Sequence, residues 1–137
     1  DYQGMDDPHE RVAKLLTHLG ELDGPAILVG SSMGGHVAAS AASAHPAVAA
    51  FLMAPAFYMP GYEALTPRPL SCPVTIVHGW HDEIVPVDNA LRFAREGDCT
   101  LHLLDTDHRM LDQLDELCDL FEMFLKKIPG VGKAGPD

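Results

Sequence analysis

An apolar run that leads directly into a Gly-x-Ser-x-Gly pattern constrains this chain more than any other feature of its sequence. Ile27-Leu28-Val29 is followed at once by Gly30-Ser31-Ser32-Met33-Gly34. This order is typical of a strand that turns sharply into a helix, with the central serine in a strained backbone conformation and glycines on either side of the crowded turn. We therefore predict that Ser32 is a nucleophile. The alternative is that Ser32 only caps the following helix.

The residues after Ser32 strengthen this interpretation. An alanine-rich run predicts a helix that continues to about His45, where Pro46 ends it. The first amides of such a helix point at the turn. We therefore expect the N–H of Met33 to stabilise an oxyanion that forms beside Ser32.

Composition limits the classes of protein that remain. With 137 residues, of which 47% are hydrophobic, the chain is long enough for one globular domain, which we place at residues 1–128 with a frayed tail at 129–137. The net charge of −11 and the lack of a Lys/Arg cluster before Lys126-Lys127 argue against a nucleic-acid partner. The sequence contains no membrane span and opens on no signal-peptide pattern, so we expect a soluble, cytoplasmic protein.

The residues that could bind metal do not form a recognisable site. Cys72, Cys99 and Cys118 are odd in number and widely spaced, which predicts buried reduced thiols without a disulfide framework. His78, His81 and Asp82 lie close in sequence, but they offer no reliable convergence and no further ligand. We expect neither a metal nor a cofactor.

Hydrophobic periodicity and turn residues predict an alternation of helices and strands. The first helix starts at Asp7-Pro8, with Asp7 and Glu10 as a capping box, and ends at Gly20. A helical turn is expected near Glu63, a helix at Val87–Glu96, and a long amphipathic helix from Leu111 to Ile128. The predicted strands are Ala26–Gly30, Val48–Ala54, Val74–Gly79 and Thr100–Leu104.

Four strands separated by helices predict an α/β fold with a short parallel sheet, right-handed crossovers and helices on both faces. Ligands bind such sheets at the carboxyl ends of the strands. Three chemically capable side chains follow three of the predicted strands, namely Ser32, Asp82 and His108.

At this point the chain resembles the α/β-hydrolase family of serine hydrolases, especially its short bacterial esterase-like members. His78-Gly79-Trp80-His81-Asp82-Glu83-Ile84-Val85-Pro86 is similar to the family's acid-bearing turn, and this resemblance places the triad acid on Asp82. His108, between a strand and the last helix, matches the family's catalytic histidine. The resemblance runs from the helix at Asp7 to the helix that ends near Ile128.

The three residues have complementary chemical roles. A serine hydroxyl hardly ionises at neutral pH and needs a base, which His108 would provide. Asp82 would hold the imidazole in the correct tautomer and stabilise the imidazolium. Glu83 is the alternative acid, Asp82 could instead be a turn carboxylate, and His108 could be a surface histidine.

Substrate contacts are expected near the ends of the same strands. The stretch from Met53 to Met59 leaves the second strand at the site edge, where Tyr58 and Met59 are candidates for substrate walls. Trp80 and Ser31, which lie beside the predicted acid and nucleophile, complete the set of expected substrate-binding residues.

The chain departs from the family at its beginning. The family's sheet has about eight strands, but only 25 residues precede Ala26, so we expect a minimal or truncated form that lacks the first half of the sheet. The loop that supplies the second oxyanion donor would be missing with it. A minimal enzyme, a fragment and an assembly completed by a partner chain all remain open. An apolar strand left at a sheet edge favours a homodimer.

The resemblance implies a serine carboxylesterase that acts on small, short-chain esters through an acyl-enzyme. Thioesterase, lactonase and peptidase activities use the same machinery, and the fold does not choose among them. A different class is a non-catalytic interaction module with an incomplete oxyanion hole.

Overall fold

The predicted parallel sheet of four strands is confirmed. The computed structural model describes residues 2–24, 26–68 and 70–130, and in this part of the chain one sheet has the strand order β1-β2-β3-β4. All three neighbouring pairs are parallel. The strands are β1 (Ala26–Ser31), β2 (Ala47–Met53), β3 (Val74–Gly79) and β4 (Thr100–Leu104).

Four α-helices accompany the strands. The described helices are α1 (Pro8–Gly20), α2 (Met33–Ala44), α3 (Val87–Gly97) and α4 (Leu114–Lys126). Asp7 caps α1 as predicted, because its carboxylate accepts the N–H of His9 at 2.9 Å. The expected helical turn near Glu63 is a 3₁₀ turn at Glu63–Leu65.

Side-chain alternation along the strands divides the core into two clusters, one on each face of the sheet. On one face, Leu28, Leu52 and Ile76 are buried with residues of α2 and α3. On the other face, Phe51 and Val77 are buried with residues of α4. Helices therefore cover both faces, as predicted.

The small side chains of α2 allow close packing. Ala38, Ala39 and Ala41 are at most 2% exposed, and α2 lies against both β1 and β2. The first helix, α1, packs against α2. This packing places the start of α2 at the end of β1.

The C-terminal region differs in detail from the prediction. The segment that was expected to be helical from Leu111 begins with a 3₁₀ turn, Leu111–Gln113, before α4. Pro129 and Gly130 of the predicted frayed tail are described, whereas residues 131–137 lie outside the described residues.

The expectation of buried thiols is wrong for Cys118. All three cysteines are free, but Cys118 is exposed on α4, and Cys72 and Cys99 are only partly buried. Burial, with smaller contributions from Asp98 and Cys72, raises the pKa of Cys99 to about 11.

The strand β1 lies at one edge of the described sheet. Its residue Val29 is 48% exposed, and no charged side chain guards the strand. None of the described helices is both long and apolar enough to cross a membrane.

Candidate active site

The turn between β1 and α2 holds Ser32 in a conformation that L-residues rarely adopt. Its φ is 54° and its ψ is −120°. The Ser32 N–H donates to the carbonyl of Met53 at 2.9 Å, and the Ser32 carbonyl accepts the N–H of Ala56 at 2.9 Å and that of Gly35 at 3.0 Å. The His36 N–H donates to the same carbonyl at 3.2 Å, so four backbone hydrogen bonds hold the strained residue in place.

Two glycines allow this turn to form, but only one of them belongs to the predicted pair. A Cβ on Gly30 would overlap the backbone carbonyl of Gly34, so position 30 has no room for a side chain. A Cβ on Gly34 would meet nothing within 4 Å. The second crowded position is Gly35, where a Cβ would lie 3.0 Å from Pro55.

A chain of hydrogen bonds joins Ser32 to His108 and His108 to Asp82. The Nε2 of His108 lies 2.9 Å from Ser32 Oγ, and its Nδ1 lies 2.7 Å from Asp82 Oδ2. A carboxylate can only accept, so Nδ1 carries the ring proton and Nε2 is free to accept the serine proton. These two contacts join residues that lie 76 and 26 positions apart in the sequence.

The carboxylate of Asp82 also organises its own turn. Its Oδ1 accepts the N–H of Ile84 at 2.9 Å and that of Val85 at 2.7 Å, and the side chain is fully buried. Asp82 is thus a turn carboxylate and the partner of His108 at the same time. Glu83, the alternative acid, is exposed, and the carboxylate that bonds His108 belongs to Asp82.

His78 is a buried neighbour of this site to which the sequence reasoning gave no role. Its ring is 0% exposed, and its Nε2 lies 2.9 Å from the Val85 carbonyl and 3.2 Å from Asp82 Oδ2. Because a carbonyl only accepts, Nε2 carries the proton and also faces the carboxylate as a donor. The signal in the sequence was a histidine at the end of a buried strand, four residues before Asp82.

The turns after β3 and β4 abut each other, which brings Asp82 and His108 together. The Trp80 N–H donates to the Leu104 carbonyl at 2.9 Å, and the His81 N–H donates to the Thr106 carbonyl at 3.0 Å. A Cβ on Gly79 would overlap the Thr106 carbonyl, so only glycine permits this approach.

Of the three residues considered for metal binding, His81 lies apart from His78 and Asp82. His81 forms an exposed pair with Asp105 at 2.8 Å and does not face Asp82. Across residues 2–24, 26–68 and 70–130, no group of three or more His, Cys, Asp or Glu side chains is placed to hold a metal ion.

The N–H of Met33 is available beside the serine. Met33 is the first residue of α2, and among the described residues its N–H has no backbone hydrogen-bond acceptor. The helix dipole adds a partial positive charge at this end of α2.

The predicted substrate-binding residues are distributed unevenly around Ser32. Met59 lines a cavity of about 100 Å³ beside the turn, which we call the proximal cavity; its walls include Pro8, Met33, His36, Ala56, Met59 and Tyr62. Ser31 ends β1 and is exposed, and Trp80 is 52% exposed at the start of the acid-bearing turn.

Tyr58 does not line the proximal cavity. Its ring lies 3.9 Å below the guanidinium of Arg92, and its hydroxyl donates to Glu96 at 3.1 Å. Burial and this bond to Glu96 raise the pKa of Tyr58. These contacts direct the ring toward α3.

Structural comparisons place the chain among hydrolases. A Xanthomonas campestris protein described as a hydrolase of the α/β superfamily is 30% identical, with a TM-score of 0.77, and the match covers 91% of this chain and 72% of that protein. Mouse α/β hydrolase domain-containing protein 10 is 24% identical, with a TM-score of 0.74 and coverage of 90% and 72%. A thermophilic esterase from Thermogutta terrifontis is 21% identical, with a TM-score of 0.68 and coverage of 95% and 65%.

Sequence comparisons add nothing to these structural matches, because neither a protein-family model nor a curated protein sequence matches the chain. The mouse and Thermogutta proteins share the fold. The Xanthomonas protein shares both the fold and 30% of its residues over most of its length. The chain belongs to the α/β-hydrolase superfamily.

Proposed function

We propose that this chain is a serine ester hydrolase that cleaves small carboxylic esters through an acyl-enzyme. The observation that carries the proposal is the unbroken line of hydrogen bonds from Ser32 through His108 to Asp82. A serine that only capped a helix would have no need of a base and a buried acid in line with its hydroxyl. The esterase among the structural neighbours is consistent with the same chemistry.

Acylation follows from the positions of these groups. Ser32 Oγ forms a bond to the ester carbonyl carbon while its proton passes to His108 Nε2. The carbonyl π electrons move to the oxygen, and the Met33 N–H stabilises the resulting oxyanion. His108 then returns the proton to the alcohol oxygen as the C–O bond breaks, which leaves the acyl group on Ser32.

Deacylation repeats these steps with water as the nucleophile. His108 Nε2 takes a proton from water as its oxygen attacks the acyl carbon. The tetrahedral intermediate collapses, and the same proton returns to Ser32 Oγ as the acid product leaves. Throughout, the buried Asp82 carboxylate stabilises the imidazolium at a distance of 2.7 Å.

The proposal is tested by hydrolysis of p-nitrophenyl acetate by the wild type and by Ser32→Ala and His108→Ala. Each substitution should lower kcat by about 10⁴-fold or more, because the nucleophile and the base act as one unit. Ser31→Ala is the matched control, since it removes a neighbouring hydroxyl that lies outside the line of hydrogen bonds, and it should retain kcat even where a lost substrate contact raises KM. Circular dichroism should show the fold unchanged in all three variants.

Two results with these nitrophenyl esters would contradict the proposal. Turnover by Ser32→Ala within tenfold of the wild type would refute the assignment of the nucleophile. Lack of any turnover by the folded wild type across a panel of nitrophenyl esters would favour a non-catalytic interaction module.

A further inference from the structure

His36 lines both the proximal cavity and a larger cavity between α1 and α2. This second space, which we call the distal cavity, has a volume of about 380 Å³, and its walls include Pro8, Val12, Leu16, His36, Ser40 and Leu65. Pro8 and His36 line both cavities. His36 is therefore a wall that the small space beside the nucleophile shares with the larger one.

The proximal cavity is in direct contact with the turn that carries Ser32. Met33 follows the serine in sequence, and Ala56 donates its N–H to the Ser32 carbonyl at 2.9 Å. The volume of the proximal cavity, about 100 Å³, is what roughly three water molecules occupy in liquid water. The cavity can therefore hold a chain of about three or four heavy atoms.

His36 is fixed firmly enough to act as a wall. It lies one helical turn after Ser32 on α2, is 5% exposed, and its ring centroid is 6.2 Å from that of Phe57. Its Nδ1 is buried and has no hydrogen-bond partner among the described residues. Burial, with a smaller contribution from His9, lowers the pKa of His36, so the ring is neutral at neutral pH.

The walls of the proximal cavity indicate which part of an ester would enter it. They come from α1 and the segment before it, from α2 and from the connection after β2. His108 approaches Ser32 from the turn after β4. The leaving oxygen must face His108 to receive its proton, so the acyl chain extends away from His108 and toward the proximal cavity.

We propose that His36 determines substrate specificity: it closes the proximal cavity and restricts the enzyme to esters with acyl groups of about four carbon atoms or fewer. This inference rests on the proposed ester hydrolase function and defines its substrate class. The effect is steric, because His36 is a wall of both cavities and its buried Nδ1 has no hydrogen-bond partner among the described residues.

The test compares p-nitrophenyl acetate, butyrate, hexanoate and octanoate as substrates for the wild type and for His36→Ala. The wild type should prefer acetate and butyrate. In His36→Ala the two cavities join, and kcat/KM for octanoate relative to acetate should rise by about tenfold or more, since each buried methylene contributes roughly a fourfold gain. An unchanged ratio in a folded His36→Ala protein would overturn the inference.

Two further variants separate the steric role from other effects. His36→Phe retains a ring in the shared wall and should keep the short-chain preference, whereas loss of that preference would contradict a purely steric wall. Ser40→Leu fills the distal cavity; it should leave acetate and butyrate hydrolysis unchanged when introduced alone. Combined with His36→Ala, it should reverse the gain on octanoate, and a gain that persists would contradict the path through the distal cavity.

Ala56→Leu keeps the inference testable if His36→Ala does not fold. The added side chain narrows the proximal cavity, so kcat/KM for butyrate relative to acetate should fall by about tenfold. An unchanged ratio would count against the cavity as the acyl site. A series of acetates with longer alcohol groups tests whether the cavity binds the alcohol side of the ester instead. If His36→Ala changes the chain-length preference only in that series, the proximal cavity is not the acyl site.

The outcomes for the inference and for the proposed function are distinct. Loss of all Ser32-dependent hydrolysis would refute the function itself. Hydrolysis that depends on Ser32 but shows the same chain-length profile in every variant would refute only the role of His36.

Discussion

Replacing Asp82 with asparagine should disable the base while leaving nearly all of the molecule's shape intact. In the wild type, Oδ1 accepts two backbone N–H groups, from Ile84 and Val85. The amide oxygen of the new side chain must take that position, because an NH₂ group would face two donors there. The NH₂ group is therefore placed where Oδ2 was, 2.7 Å from the Nδ1 of His108.

This exchange reverses the proton positions on the imidazole. A donor in place of Oδ2 requires an unprotonated Nδ1 on His108, so the ring proton moves to Nε2. That nitrogen then donates to Ser32 Oγ and cannot accept its proton. The analogous change in a serine protease lowers kcat by about 10⁴-fold, and we expect a loss of that order here. The new NH₂ group would also face the N–H of His78 Nε2, which donates toward Oδ2 in the wild type. Two buried donors without an acceptor should lower the free energy of unfolding by about 1–3 kcal/mol.

The assay is kcat for p-nitrophenyl acetate at neutral pH, with urea unfolding to measure stability. Asp105→Asn is the matched control, because it makes the same chemical change in an exposed carboxylate that pairs with exposed His81. That control should retain both turnover and stability. A folded Asp82→Asn protein with kcat within tenfold of the wild type would refute the reasoning from the tautomer.

Three further predictions concern the turn, the buried histidine and the sheet edge. Gly30→Ala should lower the free energy of unfolding by about 3 kcal/mol, because the new Cβ overlaps a backbone carbonyl. Gly34→Ala should leave the free energy of unfolding unchanged, because a Cβ at that position meets nothing within 4 Å. Equal stability of the two variants would contradict this account. The folded state holds the pKa of His36 below its ordinary value of 6.5, so the free energy of unfolding should fall as the pH drops below 6.5. The same pH dependence of stability in His36→Phe as in the wild type would contradict this. We also predict a homodimer that covers the apolar edge of β1, and light scattering that finds a fully active monomer at micromolar concentration would exclude it.

The strands could be predicted from sequence because their signals are local. The apolar, β-branched run after Pro73 predicted β3 with the observed limits, the short run after the helix end at Gly97 predicted β4, and β1 was placed within one residue. The second strand was predicted one residue too far along, as Val48–Ala54, whereas β2 is Ala47–Met53. The reason is backbone geometry: Ala54 has a φ of 44°, which no pattern of hydrophobic residues reveals.

The surroundings of the candidate site could not be predicted in the same way, because contacts between distant residues determine them. Tyr58 was expected to face substrate, but its orientation depends on Arg92 and Glu96, more than thirty residues later in the chain. The burial of His36 and His78 likewise depends on how α1, β3 and the acid-bearing turn pack. A lone histidine in a sequence carries no signal of that environment.

Covalent labelling of Ser32 tests the central claim most directly, since it depends on activation of the serine and not on any particular substrate. Wild-type protein treated with a fluorophosphonate should gain the mass of one phosphonyl group, located on Ser32 by peptide mass spectrometry. Ser32→Ala and His108→Ala should remain unlabelled, and Ser31→Ala should be labelled like the wild type. A folded wild type that stays unlabelled, or a label that persists in Ser32→Ala, would contradict the assignment of Ser32 as a nucleophile activated by His108.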